Sequence, residues 1–254
     1  MNNIAHLICS KNFSGIEQHV HELTSTLTNN SDYDLYIFAD KTLEPHFQNQ
    51  RFQIFPNKFR FNLFALFKLR KLIKDHKIHI LHCHGSKSIL LGRWVSWITK
   101  VELIATVHAN KKRPVATNGF RKTIIVNELL KKTYPAAEVI GNWVNPKLEI
   151  LNSSRDGKFI AVGRLEKIKR FDLLIHAWKG INEKLEIIGD GLEKNNLLTT
   201  IKDNNLDEKI TIRSEVNSQE LGNIYKTAKG LIITSLREGG PRVALEAAAF
   251  NLPV

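Results

Sequence analysis

The sequence contains few cysteines and no long hydrophobic run. Two cysteines among 254 residues exclude a disulfide framework and a zinc site built from four thiolates. Cys9 and Cys83 both lie in apolar runs, so we expect them to be inert core residues. No stretch reaches the roughly 20 apolar residues of a membrane-spanning helix, and the N-terminus lacks a basic start followed by a long apolar core. We therefore expect a cytoplasmic protein.

Acidic residues are scarce in the first half of the chain. Residues 1–150 contain 21 Lys and Arg against 11 Asp and Glu, whereas residues 151–254 contain 16 against 14. Residues 51–77 hold eight basic residues, one acidic residue and six phenylalanines. This mixture suits an anionic membrane surface, an anionic substrate or a nucleic acid. No helix-turn-helix, zinc or RNA-stacking motif accompanies the charge, so we expect no nucleic-acid partner.

Short apolar runs alternate with amphipathic stretches along the chain, a pattern typical of βα units around a parallel sheet. In the first half, the predicted strands are 5–9, 35–39, 78–82, 103–107, 123–126 and 139–140, and the clearest predicted helices are 16–27, 63–74 and 87–98. In the second half, the predicted strands are 159–162, 185–188, 210–212 and 231–234, and the predicted helices are 171–178, 192–201, 218–228 and 242–250.

A block rich in Pro, Gly, Asn and Ser interrupts this pattern and predicts two domains. We place the N-terminal domain at 1–145, the linker at 146–157 and the C-terminal domain at 158–254. The last residues, Leu252–Val254, are typical of the start of a further strand. We therefore expect an incomplete second domain, whose sheet would keep an unpaired apolar edge.

The segment EGGPRVALE, which begins at Glu238, joins a predicted strand to a predicted helix. It places Glu238 in the loop and Glu246 about two turns into the helix, with Pro241 suited to the first helical position. The N–H groups of Arg242 and Val243, at the helix start, would favour an anion such as a diphosphate. An acidic cap on an ordinary helix is the alternative.

The segment VGRLEKIK, which ends at Lys169, places two cations after the first predicted strand of the C-terminal domain. That strand ends at Gly163, and Arg164 follows at once. The planar fork of an arginine and the compact charge of a lysine can together neutralise a diphosphate. A cluster of surface charges is the alternative, since both residue types are common in loops.

Seven segments, taken together and in order, resemble the retaining GT-B glycosyltransferases of family four, which use nucleotide-sugar donors. The segments are NFSGIEQHVHEL, HILHCHG, TVH, VIGNWVN, VGRLEKIKRFDLLIHAW, LEIIGDG and EGGPRVALE. The resemblance covers nearly the whole chain and is much more specific than any single segment. It implies an α/β fold of the GT-B type, with two Rossmann-like domains and the active site in the cleft between them.

The resemblance implies a donor site in the C-terminal domain. Arg164 and Lys169, beside Gly163, would hold the donor diphosphate, and the loop 213–216 would meet the base. The distal phosphate would be held by backbone N–H groups near Gly239, Gly240, Arg242 and Val243. Family members need no metal, so we expect no metal in the site and no cofactor, the nucleotide-diphosphate sugar being the donor substrate.

The resemblance also implies roles for side chains around the transferred sugar. Glu238 would face the hydroxyl groups of the sugar, and Glu246 the ribose of the nucleotide. His108 would lie beside the donor sugar, and Gly15 in a loop that closes over the phosphates. We take Glu238 and His108 as candidate catalytic residues, and His84 as the residue best placed for contact with the acceptor.

Three residues depart from the family pattern by replacing a glycine: Ser14 in the N-terminal loop, Trp143 after an asparagine, and Arg170 after the diphosphate lysine. Two other segments resemble unrelated sites. Residues 32–34, Asp-Tyr-Asp, match a metal-binding motif of other glycosyltransferases, but we interpret them as a solvated turn. Residues 189–191, Gly-Asp-Gly, lack the third glycine of a dinucleotide motif, so we interpret them as a strand-to-helix turn near the donor base.

Histidines recur in the first domain. His79, His82 and His84 follow one another near a predicted strand, and we expect all three to point to one face. Metal binding and a role in the cleft or core are both open for them, and we favour the second. His19 and His21 fall on one predicted helix, where we expect them to face solvent.

Our leading hypothesis is a retaining, metal-independent hexosyltransferase that serves a glycan or lipid-linked acceptor in the assembly of bacterial lipopolysaccharide or capsule. The alternative is an inactive truncated fragment that binds a nucleotide or a partner without turnover. A nucleic-acid binder is the third hypothesis. The basic helix 63–74, with Phe59, Arg60 and Phe61 before it, would rest on an anionic membrane surface, or would pack its apolar stripe inward in the ordinary way.

Overall fold

The computed structural model describes residues 2–28, 33–56, 63–109, 113–144, 155, 157–238 and 240–254. The chain divides into two compact units, Met1–Asn142 (unit 1) and Trp143–Val254 (unit 2). Within the described ranges, no helix is both long and apolar enough to cross a membrane. Of the predicted linker 146–157, only residues 155 and 157 are described.

Unit 1 is built on a seven-stranded parallel sheet. Its strands are β1 (Asn2–Ile8), β2 (Tyr33–Ala39), β3 (Arg51–Ile54), β4 (Ile80–His84), β5 (Glu102–Val107), β6 (Lys122–Ile125) and β7 (Glu138–Val139). Its α-helices are α1 (Gly15–Thr28), α2 (Leu63–Asp75) and α3 (Gly85–Ser96), and 3-10 helices cover Lys41–His46 and Glu128–Lys132. The strand order is β3-β2-β1-β4-β5-β6-β7. In this Rossmann order, ligands bind at the carboxyl ends of the strands where the order reverses, between β1 and β4.

Unit 2 repeats this arrangement with four parallel strands in the order β10-β9-β8-β11. Its elements are β8 (Phe159–Val162), α4 (Phe171–Ala177), β9 (Leu185–Ile188), α5 (Lys194–Asp203), β10 (Ile210–Arg213), α6 (Ser218–Thr227), β11 (Gly230–Leu231) and α7 (Arg242–Ala249), with a 3-10 helix at Lys167–Lys169. The order reverses between β8 and β11. The expected α/β class with Rossmann-like sheets is therefore confirmed.

The central strands of unit 1 are apolar because a parallel sheet is buried on both faces. Leu7 on β1, Leu81 on β4 and Ala105 on β5 are fully buried. Cys83 is also fully buried, and a Cβ placed on Gly92 of α3 would lie 2.4 Å from its Sγ. The expected core position of Cys83 is confirmed, whereas Cys9 is only half-buried.

The C-terminal end of α2 explains why the strand predicted at 78–82 lies at 80–84 instead. Lys77 adopts a left-handed conformation, with φ of 47°, and the N–H of Ile78 donates to Ile73 O at 2.9 Å. This bond is the signature of a Schellman cap, in which an apolar residue after the helix packs back onto it. The buried Ile78 therefore belongs to the helix cap and not to β4.

The first edge of the unit 1 sheet corrects two predictions. Tyr33 and Asp34 begin β2, so the described part of the Asp-Tyr-Asp segment is strand and not turn. Asp34 Oδ1 lies 2.9 Å from a guanidinium nitrogen of Arg51, on β3. We did not predict β3, because its sequence, RFQI, is short and alternates polar with apolar residues.

The strand predicted at 231–234 is also shorter, since β11 contains only Gly230–Leu231. The N–H of Leu231 donates to Pro253 O at 2.8 Å, so residues near Pro253 lie along this strand, where we had expected an unpaired edge. Thr234 instead directs its hydroxyl to Lys169 O at 2.8 Å. The residues after β11 therefore form a loop against the 3-10 helix of unit 2.

Candidate active site

The loop between β1 and α1 is held by a buried carboxylate that sequence reasoning missed. Glu17 Oε2 accepts from the N–H of Ser14 at 2.9 Å and from its hydroxyl at 2.7 Å, and Glu17 Oε1 accepts from Ser10 Oγ. A glutamate whose side chain accepts from the N–H of the residue before the helix forms half of a capping box. The pattern Ser-x-x-Glu in the sequence indicates such a box. Ser14 therefore has a structural reason to replace glycine, and Gly15 begins α1 exposed.

Five histidines gather toward the carboxyl ends of β1, β4 and β5. We call them the histidine array: His6, His19, His82, His84 and His108. His6 Nδ1 lies 3.0 Å from His84 Nε2, and His84 Nδ1 lies 3.3 Å from His108 Nε2. The ring centroids of His19 and His108 lie 4.7 Å apart. Four of the five are buried and His108 is half-buried. The structure therefore brings the two predicted histidines, His84 and His108, into direct contact.

Two predictions about histidines were wrong. His79 precedes β4, is exposed and accepts the N–H of Asn3 on Nδ1 at 3.1 Å, so it does not share a face with His82 and His84. An odd residue spacing separates it from them, whereas side chains on one face of a strand recur every second residue. His19 does not face solvent, because α1 packs it against the array.

We did not select His6 from the sequence, although the strand register indicates that it lies beside His82. In the register of the two neighbouring strands, His6 on β1 pairs with His82 on β4. Side chains at paired positions of adjacent parallel strands point to the same face of the sheet. The pairing could be anticipated only after β1 and β4 were known to be neighbours.

Burial keeps His6, His82 and His84 neutral near neutral pH. Desolvation, with repulsion from His19, lowers the pKa of His6 to about 3. Desolvation and the neighbouring histidines lower the pKa of His82 and the pKa of His84 well below their usual value. A neutral imidazole has one N–H donor and one acceptor nitrogen, so the proton position on His6 determines whether His84 Nε2 donates or accepts in their contact.

In unit 2, the predicted lysine and glutamate meet. Lys169 Nζ lies 2.7 Å from Glu238 Oε1, and both side chains are about one fifth exposed, at 21% and 23%. A Cβ on Gly163 would lie 3.3 Å from Lys169 Cε, so the absence of a side chain at Gly163 gives the lysine its path. These residues lie after β8 and β11, where the strand order reverses. The geometry therefore places a half-buried ion pair at the position where such a sheet binds ligands.

The other predicted cation, Arg164, does not join this pair. Its guanidinium lies 2.8 Å from Glu166 Oε1, and its side chain is 61% exposed. Arg170, which stands where the resembling family has glycine, adopts a left-handed conformation with φ of 54°. The left-handed backbone conformation that favours glycine is thus retained at position 170, although the residue is arginine.

α7 starts at Arg242, as predicted, but the role predicted for Pro241 is wrong. Pro241 lies just before the helix, with ψ of 109°, and not at the first helical position. Its side chain has no group that could accept from the N–H groups of the first turn. Gly240, just before it, has φ of 116°, a conformation that favours glycine, and Gly239 lies outside the described residues. Val243, in the first turn of α7, is half-buried.

Two side chains of α7 are held by residues that sequence reasoning did not select. Arg242 donates to Trp143 O at 3.1 Å, which gives the unusual tryptophan position a backbone role. Glu246 Oε2 accepts from the hydroxyl of Tyr225 at 3.1 Å, and its other oxygen lies 3.9 Å from Arg242 Nε. Burial, followed by the charge of Glu246, raises the pKa of Tyr225. The guanidinium of Arg155 donates hydrogen bonds to the main-chain carbonyls of Tyr225, Ala228 and Phe250.

The Gly-Asp-Gly segment is a strand-to-helix turn, as predicted. A Cβ on Gly189 would lie 2.0 Å from Gly163 O, so two turns of the site pack backbone to backbone. Asp190 accepts from the N–H of Glu215 at 3.0 Å and from Lys194 Nζ at 2.7 Å. The hydrogen bond from Lys194 is the main cause that lowers the pKa of Asp190. The turn and the loop 213–216 are therefore joined.

Residues 13–140, half of the chain, match the family described as Glycosyltransferase Family 4. The chain belongs to Glycosyltransferase Family 4. Residues 147–254 match the family described as Glycosyl transferases group 1. The expected family is confirmed, with one match in each half of this glycosyltransferase chain.

Curated relatives include the amylovoran biosynthesis glycosyltransferase AmsD of Erwinia amylovora. It is 26% identical over 94% of this chain and 76% of its own length. The chain spans about half of two further curated relatives, 53% and 48%.

Solved structures with the same fold include GT-B glycosyltransferases. Anabaena Alr3699/HepE, in complex with UDP and glucose, has a TM-score of 0.82 at 17% identity and matches 100% of this chain and 80% of its own. The apo form of the lipopolysaccharide outer core galactosyltransferase WaaB has a TM-score of 0.75 at 18% identity and matches 100% of this chain and 79% of its own. At this identity, the likeness shows the fold.

Proposed function

We propose that this chain is a retaining, metal-independent glycosyltransferase that moves a hexosyl group from a nucleotide-diphosphate sugar to a glycan or lipid-linked acceptor. Membership of Glycosyltransferase Family 4 supports the transferase class. One observation carries the residue-level proposal: Lys169 and Glu238 form an ion pair at the strand-order reversal of unit 2. Localisation in the cytoplasm, peripheral to the inner face of a membrane, remains part of this proposal.

The ion pair suggests how donor binding prepares the site. A diphosphate offers Lys169 Nζ two negative charges in place of the single carboxylate of Glu238. The lysine would turn to the phosphates, with Arg164 as a second cation and the N–H groups near Gly240 and Val243 at the start of α7. Glu238 would then accept hydrogen bonds from hydroxyl groups of the donor sugar. One binding event would thereby free both proposed partners.

The chemical demand is to stabilise a departing nucleotide diphosphate. Fixed cations and oriented N–H groups stabilise developing negative charge without reorganisation, which is the role proposed for Lys169, Arg164 and the α7 start. Glu246, held by Tyr225, would accept from the ribose hydroxyls. His108, together with Gly15 at the start of α1, would contact the donor, and His84 would face the acceptor.

The names of the similar proteins support a role in bacterial surface glycans. One is named for amylovoran biosynthesis, and another for the lipopolysaccharide outer core. The solved structure with the TM-score of 0.82 contains UDP and glucose. We therefore propose lipopolysaccharide or capsule assembly as the pathway and a uridine-diphosphate sugar as the first donor to try.

The donor site is tested by calorimetric titration with UDP. Lys169→Ala should weaken UDP binding by about 1.5 to 3 kcal/mol, the usual worth of a charge-assisted hydrogen bond. Arg164→Ala should weaken it within the same range. Lys167→Ala is the matched control, because this exposed lysine lies on the same 3-10 helix and should leave the affinity unchanged.

Turnover separates the proposed roles from simple nucleotide binding. Glu238→Gln should lower sugar transfer much more than donor affinity, whereas Glu246→Ala should weaken binding of the nucleoside portion. Unchanged UDP affinity in both the Lys169 and Arg164 variants would remove the diphosphate assignment. Donor binding without any transfer to acceptor would favour the alternative, a fragment that binds without turnover.

The exposed face of α2 supports contact with an anionic membrane surface. The helix buries Ala65, Leu69 and Ile73, so a stripe packs inward as the ordinary alternative requires. It nevertheless leaves large apolar side chains exposed: Leu63 at 74%, Phe64 at 68% and Phe67 at 60%. Lys71 and Lys74 are exposed on the same helix. Apolar and basic side chains side by side suit the interface of an anionic bilayer. Phe59, Arg60 and Phe61 lie outside the described residues.

Vesicle sedimentation tests this part of the proposal. Changing Lys68, Arg70, Lys71 and Lys74 together to Gln should abolish sedimentation with anionic vesicles at low salt, since each basic residue near such a surface contributes about 1 kcal/mol. UDP affinity should remain. A matched control changes four exposed lysines of unit 2 to Gln: Lys167, Lys179, Lys184 and Lys202. Vesicle binding that survives the first change, or that the parent lacks, would exclude the membrane role.

A further inference from the structure

The histidine array contains more imidazoles than the proposed transfer uses. Two overlapping trios have ring nitrogens that all lie within 4.8 Å of one another. One trio is His6, His82 and His84, and the other is His19, His84 and His108. Such spacing brings nitrogen atoms close enough to share one ion, and imidazole is a common ligand of Zn²⁺, Ni²⁺ and Cu²⁺.

The two trios differ in their access to solvent. His6, His82 and His84 are all buried, and His82 Nε2 already contacts Thr106 Oγ1 at 2.7 Å. In the second trio, His108 is half-buried, so this trio is partly open to solvent. An ion needs access from solvent, and a site with three protein ligands leaves its fourth position open. The second trio is the better candidate.

One nitrogen–nitrogen distance in the second trio matches that of a tetrahedral zinc site. His84 Nδ1 and His108 Nε2 lie 3.3 Å apart. Two nitrogen ligands about 2.0 to 2.1 Å from one tetrahedral zinc are separated by about 3.3 Å. The rings of His19 and His108 meet edge to face, with centroids 4.7 Å apart and an interplanar angle of 85°. One ring nitrogen of His19, on α1, lies within 4.8 Å of the ligand nitrogens of His84 and His108.

His6 adds the support that a metal-binding histidine usually has. Its Nδ1 lies 3.0 Å from Nε2 of His84, on the side of the ring away from His108. If His84 donates its Nε2 proton to His6, His84 Nδ1 keeps its lone pair for an ion. Hydrogen bonds of this kind orient the ligand ring and select its tautomer in known metal sites.

We propose that His19, His84 and His108 bind one divalent transition-metal ion such as Zn²⁺, with the fourth coordination position open to water or a small ligand. Neutral imidazoles are the form that binds metal, and desolvation already holds the pKa of His84 well below its usual value. The ion takes no part in the proposed sugar transfer. It occupies the ring nitrogen of His108, so metal binding and contact of that nitrogen with a donor sugar exclude each other.

The test uses tag-free protein that has been treated with EDTA and dialysed. Titration with Co²⁺, followed by visible absorption, should show the intense bands of a tetrahedral site and saturate at one ion per chain. Zn²⁺ should bleach these bands by displacement, and calorimetry should give the same stoichiometry. Loss of a group that only supports a metal ligand typically weakens metal binding by about 10 to 100-fold. His19→Gln and His108→Gln each remove a ligand itself, so each should weaken Co²⁺ binding by at least this factor. His176→Gln, an exposed histidine of unit 2, should bind like the parent.

Circular dichroism shows whether each variant folds. If His19→Gln does not fold, His108→Gln decides the test, because His108 is the most exposed member of the trio. Failure of Co²⁺ to saturate at one ion per chain would overturn the proposal. So would tetrahedral bands that persist at parental affinity in His108→Gln. Neither result bears on UDP binding by unit 2, so failure here is distinguishable from failure of the transferase proposal.

Discussion

The two units place different chemistry at the same topological position. In unit 1, the strand ends beside the reversal carry buried, neutral imidazoles on the strands themselves. In unit 2, the corresponding position holds a half-buried ion pair, Lys169 with Glu238, on loops after the strands. Residues on central strands lose their water and become neutral, whereas loop residues stay partly hydrated and can remain charged. Similar Rossmann-like sheets therefore place neutral groups at the strand ends of unit 1 and charged groups on the loops of unit 2.

Acid should produce the largest difference between the units. The folded pKa values of His6, His82 and His84 lie below 6.5, so below pH 6.5 the unfolded chain binds more protons and stability is lost as the pH falls. At pH 5, each imidazole that stays neutral in the folded state lowers the free energy of unfolding by about 2 kcal/mol relative to pH 7. Hydrogen exchange in EDTA, between pH 5 and 7.5, should show β1 and β4 opening before β8 and β9.

The variant His82→Gln sharpens this experiment, since a glutamine does not titrate. It should reduce the slope of unfolding free energy against pH, whatever its effect at pH 7. Equal acid sensitivity of the two units would contradict the contrast between them.

A methyl group at Gly189 should destabilise unit 2 by about 3 kcal/mol, because its Cβ would lie 2.0 Å from Gly163 O and the backbone must move. Denaturant unfolding of Gly189→Ala measures this loss. Gly222→Ala is the control on α6, where the nearest atom would lie at an ordinary 3.4 Å, and it should stabilise by about 0.5 to 1 kcal/mol. Equal stability of the two variants would refute backbone packing at this turn.

Removal of one hydroxyl should separate the ribose contact from the rest of the donor site. Tyr225→Phe deletes the bond to Glu246 and should cost about 1 kcal/mol of unit 2 stability, with weaker UDP binding as Glu246 loses its orientation. Tyr134→Phe removes a similar hydroxyl, bonded to Val115 O at 2.9 Å in unit 1, and should leave UDP binding unchanged. If both variants weaken UDP binding equally, Tyr225 does not act through Glu246.

The smallest expected effect is a gain of stability. Arg170→Gly should stabilise unit 2 by about 0.5 kcal/mol, because a left-handed conformation costs an arginine more than a glycine. Lys77→Gly makes the same change in the helix cap of unit 1, where φ is 47°. Thermal unfolding should show a small rise for both. A loss of stability in Arg170→Gly alone would show that the arginine side chain, which lies 3.3 Å from Asp172, has a structural role.

Sequence patterns alone were enough for the class of fold, the family and most elements. Hydrophobic periodicity predicted 159–162 and 185–188 with their observed bounds, since apolar side chains on a parallel strand form an unbroken run. The motifs, taken in order, were enough to predict the family. The roles of Lys169, Glu238 and the other candidate residues remain predictions.

Contacts between distant segments were decided only by the tertiary structure. Lys169 meets Glu238 across 69 residues, and His6 meets His84 across 78. A sequence records which side chains are present, but their distances depend on strand order and register, which are set by the packing of the whole sheet. For the same reason, His19 was placed in solvent by its polarity, whereas the packing of α1 buries it among the other imidazoles.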